Sequence, residues 1–180
     1  GSLFQTLNRT LTPSGARLFA FHLCAPLTDL PALEARLERL DFFLTHDASW
    51  ETLVHLLKAC PDLERALSRL CLGRGGPRDL DHIRAVLEVS HQVGTLLEGL
   101  SPCPTDLEPT LFQGGTELLL TLKTALGGTL PALAREGNFI APGYHAELDH
   151  LKGLRDHGKD AILALQKTYQ TELGISSLKI

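Results

Sequence analysis

The feature that most constrains the fold is a leucine pattern at helical spacing, broken repeatedly by residues that start or stop helices. Between residues 63 and 70, apolar side chains fall at i, i+3, i+4 and i+7, and charged or polar side chains take the other positions. Aromatic residues make up only 6% of the chain, whereas strands favour aromatic and β-branched side chains. The sequence therefore predicts an all-α fold, a multihelical bundle.

Helix-capping residues indicate where several of these helices begin. Thr12, Asp29 and Asp62 each precede a helical pattern, and each can accept a hydrogen bond from a backbone N–H of the first turn. Pro77 opens a further helix after the turn at 73–76, because proline is well suited to the first helical position. The helix that follows Asp29 carries one apolar row, formed by Leu30, Leu33, Leu37, Leu40 and Leu44. Two shorter helical stretches are predicted around 107–112 and 117–126.

The longest uninterrupted helical pattern runs from residue 144 to about 172. At 1.5 Å per residue it would be roughly 43 Å long, more than a small domain needs to bury its own core. Gly153 and Gly158 lie inside it and suggest either a bend or the close approach of another backbone. Apolar clusters lie on both sides of this region: Leu148, Leu151 and Leu154 before it, and Ile162, Leu165 and Tyr169 beyond Ala161.

These patterns divide the chain into two parts. We expect residues 1–137 to form a helical core, with a candidate internal boundary at 99–105 where Gly, Ser and Pro cluster. We expect residues 138–180 to form a long helical segment that connects this core to something else. An extended piece ending in a turn, at 138–143, precedes that helix, and residues 178–180 alternate like the start of a strand.

Net charge and cysteine usage limit the classes of function. The formal net charge is −4, whereas a domain that mainly holds a nucleic-acid backbone is normally basic, so we assign no DNA-binding residue. The four cysteines, Cys24, Cys60, Cys71 and Cys103, form no C-x-x-C pair and are predicted to be small buried side chains in a reducing compartment. Neither a signal peptide nor a membrane-spanning segment is predicted, so the cytoplasm is the default location.

The turn G-R-G-G at 73–76 superficially resembles a phosphate-binding loop. A true loop of that kind needs a preceding strand and a G-K-[ST] ending, and this sequence predicts neither. We therefore interpret the segment as a turn. Arg74 and Arg78, beside the start of a helix, could still meet a phosphate or a carboxylate from another part of a larger protein.

A metal site is the second chemical hypothesis, because helical phosphohydrolases of the HD family bind metal through a His-Asp pair such as His46-Asp47. Such a site would also need His22 and either Asp79 or Asp81. Asp47 stands between two helices, where aspartate is a routine N-cap, and we favour that interpretation. We accordingly predict no catalytic residue, no metal site and no cofactor site in this chain.

Several motifs together resemble the core, or lever, domain of the MutS family of DNA mismatch-repair proteins. They occur in the family's order and span nearly the whole chain: SLF at 2–4, RTLTPSGARL at 9–18, PDLERALSRL at 61–70, the turn beginning at 73, PRDL at 77–80, GYHAELD at 143–149 and GISSLKI at 174–180. The ending of the long helix, TELG at 171–174, departs from the Arg-Thr-Gly usual in the family.

The resemblance implies that this chain is a segment of a longer protein. MutS-type proteins recognise mispaired or unpaired bases in duplex DNA as dimers, and they use ATP and Mg²⁺ to change state and recruit MutL. The ATPase, the mismatch-reading domain and most of the clamp lie outside these residues. The implied role is structural: a lever that couples the ATPase to the DNA clamp, with residues 144–172 as one arm.

An alternative from a different class stays open, namely a free-standing helical adaptor that binds a partner protein. The C-terminus distinguishes the two readings, because a segment is expected to end in mid-motif, as 178–180 suggests, whereas an adaptor is expected to have a finished end. A divergent HD-type hydrolase is the third possibility.

Overall fold

The computed structural model describes residues 1–100 and 102–179, and all of their side chains except those of Asp47, Ala48 and Ala161. Eight α-helices and three short 3-10 helices lie within these residues, so the prediction of an all-α fold is confirmed. The chain divides into two compact units, Gly1–Phe139 and Ile140–Ile180. The assignment of 1–137 to a lever core and of 138–180 to a lever arm stays a prediction.

The first unit contains seven of the α-helices and, among the described residues, all three 3-10 helices. The α-helices are α1 (Leu3–Leu7), α2 (Pro13–Cys24), α3 (Leu30–Thr45), α4 (Asp47–Ala59), α5 (Leu63–Cys71), α6 (Pro77–Glu98) and α7 (Thr116–Ala125). The 3-10 helices are Thr105–Leu107, Pro109–Phe112 and Ala134–Glu136. The second unit contains α8 (Ala146–Leu173).

Three predicted helix starts are confirmed at the level of individual hydrogen bonds, whereas the predicted cap at Asp47 is wrong, because α4 already begins at Asp47 and His46 is its N-cap residue. A side-chain oxygen accepts from a first-turn backbone nitrogen at 3.0 Å in α2, 3.1 Å in α3 and 3.2 Å in α5. The accepting residues are Thr12, Asp29 and Asp62. Each such cap satisfies one backbone donor that the helix itself leaves unpaired, which fixes where the helix begins.

Helix α6 is the centre of the first unit, where it packs against α4, α5, α7 and the 3-10 helix Pro109–Phe112. It contributes buried residues to two apolar clusters. The first contains the buried residues Phe42, Leu53, Val93 and Leu97, and the second contains Ala66, Ile83, Leu122 and Leu126. The close packing on the 3-10 helix depends on Gly94, because a Cβ at this position would lie 3.2 Å from both Phe112 Cβ and the backbone oxygen of Pro109.

Three details differ from the sequence-based predictions. Residues 107–112 form parts of two 3-10 helices rather than one helical stretch, because Pro109 cannot continue the first of them. Cys24 and Cys71 are exposed, so their predicted burial is wrong. Cys60 and Cys103 are half-buried, and burial raises the pKa of both thiols.

The segment after α8 is a turn in its described part rather than the start of a strand. The backbone nitrogen of Leu178 donates to the oxygen of Ile175 at 3.3 Å, and the side chain of Gln170 donates to the oxygens of Ser176 and Leu178. Residue 180 of the predicted strand, like residue 101 of the candidate boundary, lies outside the described residues. None of the described helices combines the length and apolarity needed to cross a lipid bilayer.

Candidate functional site

Arg17 joins α2 to the first turn of α5. Its Nη1 and Nη2 donate to the two carboxylate oxygens of Asp62 at 2.8 and 2.7 Å, and its Nε donates to Glu64 Oε2 at 2.9 Å. The same Asp62 carboxylate accepts from the backbone nitrogen of Arg65, so it caps α5 while it pairs with Arg17. A two-point arginine–carboxylate contact has a defined position and orientation, and here it links α2 to the start of α5.

The ion pair changes the protonation equilibrium of Asp62. Hydrogen bonds from Arg17 lower the pKa of this carboxyl from its ordinary 3.8 to about 2, and the two carboxylates raise the pKa of Arg17 above its ordinary value. Because the pKa is lower in the folded state than in the unfolded state, the pair stabilises the fold above about pH 4. That contribution is lost as the pH falls from about 4 towards 2.

We expect Arg17→Gln to raise the pKa of Asp62 from about 2 towards its ordinary value of 3.8, because the guanidinium is the largest cause of the shift. A carboxyl-carbon NMR titration of the folded protein measures this pKa directly. Glu64→Gln is the matched control, since it removes the other carboxylate on Arg17 and should leave the pKa of Asp62 low. A pKa that stays near 2 in the Arg17→Gln variant would contradict the assignment.

Hydrogen bonds to Asp79 stabilise the turn between α5 and α6. Gly73 has a φ of +66°, in the left-handed region that favours glycine. Asp79, buried at the start of α6, accepts from the backbone nitrogen of Gly76 at 2.8 Å and from Arg69 Nε at 3.1 Å. A Cβ on Gly76 would lie 2.6 Å from the backbone oxygen of Ala132. Packing and backbone geometry therefore account for these glycines without a bound phosphate.

A polar cavity of about 360 Å³ adjoins this turn. Its lining consists of Asp62, Arg65, Ala66, Arg69, Arg78, Asp79, His82 and Ala132. Both aspartates already pair with arginines, and Arg78 uses its Nε on the backbone oxygen of Leu130. The side chain of Arg65 makes no hydrogen bond with any residue that the structure describes. The lining includes an arginine, Arg65, whose side chain could meet a carboxylate or phosphate, and the same role for Arg74 and Arg78 stays a prediction.

The candidate ligands of the metal hypothesis serve other contacts. His46 Nδ1 lies 2.7 Å from a backbone oxygen of α3, and His22 Nε2 lies 3.2 Å from an arginine nitrogen of the same helix. Asp79 and Asp81 each pair with an arginine. The side chain of Asp47 lies outside the described residues. Within 1–100 and 102–179, no three or more His, Cys, Asp or Glu residues group around a position that could hold a metal ion.

In the second unit, polar contacts hold the beginning of α8. Asp149 Oδ2 accepts from the backbone nitrogen of Gly143 at 2.7 Å, and Lys152 Nζ donates to the backbone oxygen of Ile140 at 3.0 Å. His145 caps the helix, since its Nδ1 lies 3.3 Å from the backbone nitrogen of Leu148. The turn predicted before this helix is present, and it ties the start of α8 to the chain that leads into it.

Helix α8 is kinked inside the glycine-containing region. His157 has non-helical backbone angles, φ −118° and ψ 18°, and the residues on either side of it are helical. A Cβ on Gly153 or Gly158 would meet no atom of the described chain within 4 Å, and the bend that these glycines suggested is present at His157. Beyond the kink, Ile162, Leu165 and Tyr169 are exposed. The far part of α8 therefore presents apolar side chains that nothing in the described chain covers.

Sequence reasoning missed the ion pairs that join distant segments. Asp62 was predicted as a helix cap, but its partner Arg17 lies 45 residues earlier in the chain. Arg39 likewise pairs with Asp106 at 2.7 Å. Opposite charges at such separations leave no periodic or local signal, so a single sequence does not reveal them.

Comparisons with known proteins match nearly the whole chain. The family model described as MutS domain III matches residues 1–172. The chain is 45% identical over its full length to the DNA mismatch repair protein MutS of Ruegeria pomeroyi, and 42% identical over 97% of its length to that of Caulobacter vibrioides. It is also 42% identical over its full length to the protein of the same name from Bartonella quintana. The chain spans only 20–21% of the length of these relatives.

Proposed function

This chain belongs to the MutS domain III family, and we propose on that premise that it is the core, or lever, segment of a longer mismatch-repair protein. In that role it couples an ATPase domain to a DNA clamp. The observation that carries the proposal is the match over residues 1–172 combined with the small share of each relative that the chain covers. No observation favours the free-standing adaptor.

The two units suit the two tasks of a lever. The first unit has two buried apolar clusters that both include residues of α6, and these clusters suit it to the task of a base. The second unit is built on α8, which is kinked at His157; its helical part beyond the kink, residues 158–173, is about 24 Å long. Transmission between two distant sites must be carried by elements that do not simply absorb the displacement, and the helical part of α8 beyond the kink is the element proposed for that task.

The activities of the whole protein belong to the same proposal. Mismatched duplex DNA would be bound through other domains, ATP and Mg²⁺ would bind in the ATPase, and a second copy and MutL would be protein partners. We infer no catalytic residue, cofactor site or metal site for residues 1–180 themselves. We propose a cytoplasmic location, because the whole protein is proposed to act in the repair of DNA mismatches.

We expect the 180-residue chain alone to bind duplex DNA weakly and without preference for a mismatch, because its formal net charge is −4 and its role is structural. Titrating labelled matched and mismatched duplexes at two salt concentrations tests this, with the whole polypeptide as the control that should prefer the mismatch. A clear mismatch preference in the 180-residue chain would contradict the proposed division of labour, and no preference in the whole polypeptide would contradict the function itself.

A further inference from the structure

The polar cavity lined mainly by α5 and α6 contains hydrogen-bond donors that no described residue uses. The side chains of Arg65 and His82 make no hydrogen bond within the described chain. Arg78 donates from Nε to the backbone oxygen of Leu130 at 3.2 Å, and its two terminal nitrogens have no acceptor among the described residues. Donors from two helices therefore line one cavity and remain available to a ligand.

The same cavity has an excess of positive charge. Its lining contains three arginines and two aspartates. Both aspartates are already paired: Asp79 with Arg69 at 3.1 Å, and Asp62 with Arg17, which lies outside the lining, at 2.7 Å. Neither carboxylate is free to neutralise the remaining arginines, so the cavity attracts an anion rather than a cation.

Two alanines leave space in the lining. Ala66 is 1% exposed on α5, and Ala132, from the chain beyond α7, is exposed. A longer side chain at residue 132 would occupy part of the volume without changing the charge of the lining. The volume of about 360 Å³ lies near the lower end of the range for small-molecule sites, about 300–1,000 Å³, and exceeds the needs of a single small anion.

We propose that this cavity binds the phosphate group of a small phosphomonoester. A phosphate group carries nearly two negative charges and three acceptor oxygens, so it can use donors from two helices at once. Arginine suits this task, because its planar fork matches the geometry of phosphate. A carboxylate offers one charge and two oxygens, which would leave more of these donors unused. Such a site goes beyond the proposed lever role and does not depend on it.

An NMR titration of the 180-residue chain with ribose 5-phosphate tests the site, followed through the side-chain N–H signals of the arginines. We expect a Kd of about 1 mM or lower, and no binding of ribose. Arg65→Gln should weaken binding by about tenfold, because it removes a charge-assisted hydrogen bond. Arg135→Gln is the matched control: this exposed arginine does not line the cavity, so its loss should weaken binding by less than about twofold.

Two further variants distinguish a shaped site from diffuse charge. Asp62→Asn keeps a side chain that caps α5 but removes a negative charge from the lining, so it should tighten binding by about threefold. Ala132→Leu changes no charge and should weaken binding by about tenfold, because leucine occupies the space of the ligand. An amide spectrum that is unchanged outside the cavity establishes that each variant is folded.

Competing ligands identify the occupant. Inorganic phosphate that binds as tightly as ribose 5-phosphate would support the phosphate chemistry and identify free phosphate as its source. Succinate that binds as tightly would overturn the proposal, since the cavity would then be a carboxylate site. Duplex DNA that displaces ribose 5-phosphate would overturn it too, because the site would belong to a nucleic-acid backbone. No binding at about 10 mM ligand, or full affinity in Ala132→Leu, would also contradict it.

Discussion

Replacing Leu97 by alanine is expected to lower the free energy of unfolding by about 2–5 kcal/mol. The side chain is 1% exposed and packs in the first apolar cluster with Phe42, Leu53 and Val93. It also lines an open apolar pocket of about 390 Å³. The cost of such a deletion rises with the volume of the cavity that the substitution itself leaves, so a side chain as buried as Leu97 should fall within this range.

Urea denaturation followed by circular dichroism measures the loss, and the melting temperature should fall by about 2–4 °C for each kcal/mol. Leu120→Ala is the matched control, because Leu120 lies on α7 and is 58% exposed. Its effect should stay within about 0.5 kcal/mol. If the two variants have the same stability, the buried Leu97 side chain does not stabilise the first unit, and the central place given to α6 is wrong.

Features with local causes could be predicted from the sequence. The caps at Thr12, Asp29 and Asp62 need only a short polar side chain ahead of a helical pattern, and all three are present. The region of the bend in α8 could also be predicted, because two glycines weaken the helix there. That His157 is the residue with non-helical backbone angles could not be predicted. These elements depend on the few residues that surround them.

Features that depend on a partner elsewhere could not be predicted. Periodicity predicts that the leucines of α3 share one face of the helix. It does not predict whether another part of the described chain covers that face. Cys24 and Cys71 fall in helical segments and are exposed. Their exposure could not be predicted, because residue type alone does not determine which face of a helix meets the core. The contact between Arg17 and Asp62 depends on how α2 approaches α5, and that approach is a property of the whole first unit.

In the whole polypeptide, Ala164→Pro is expected to weaken the effect of ATP on DNA release while basal ATP hydrolysis stays close to normal. Residue 164 is exposed and lies in α8 beyond the kink at His157, on the part proposed to lead to the clamp. Ala161 would serve the same purpose by sequence, but its side chain lies outside the described residues. Proline removes one helical hydrogen bond and clashes with the preceding turn, at a cost of about 3 kcal/mol or more.

That cost is comparable to the free energy that typically couples two sites, about 1–3 kcal/mol, or 5- to 150-fold in affinity. A break in α8 can therefore abolish transmission without disturbing the ATPase, because no residue of this helix is proposed to contact nucleotide. The ratio of DNA dissociation rates with and without ATP should fall by about fivefold or more. Ala164→Gly should lower the ratio less, since glycine costs about 1 kcal/mol, and Ala164→Leu should leave it unchanged at an exposed position. An unchanged ratio in a folded Ala164→Pro protein would mean that transmission bypasses α8, because no stiff helix would then connect the kink to the clamp.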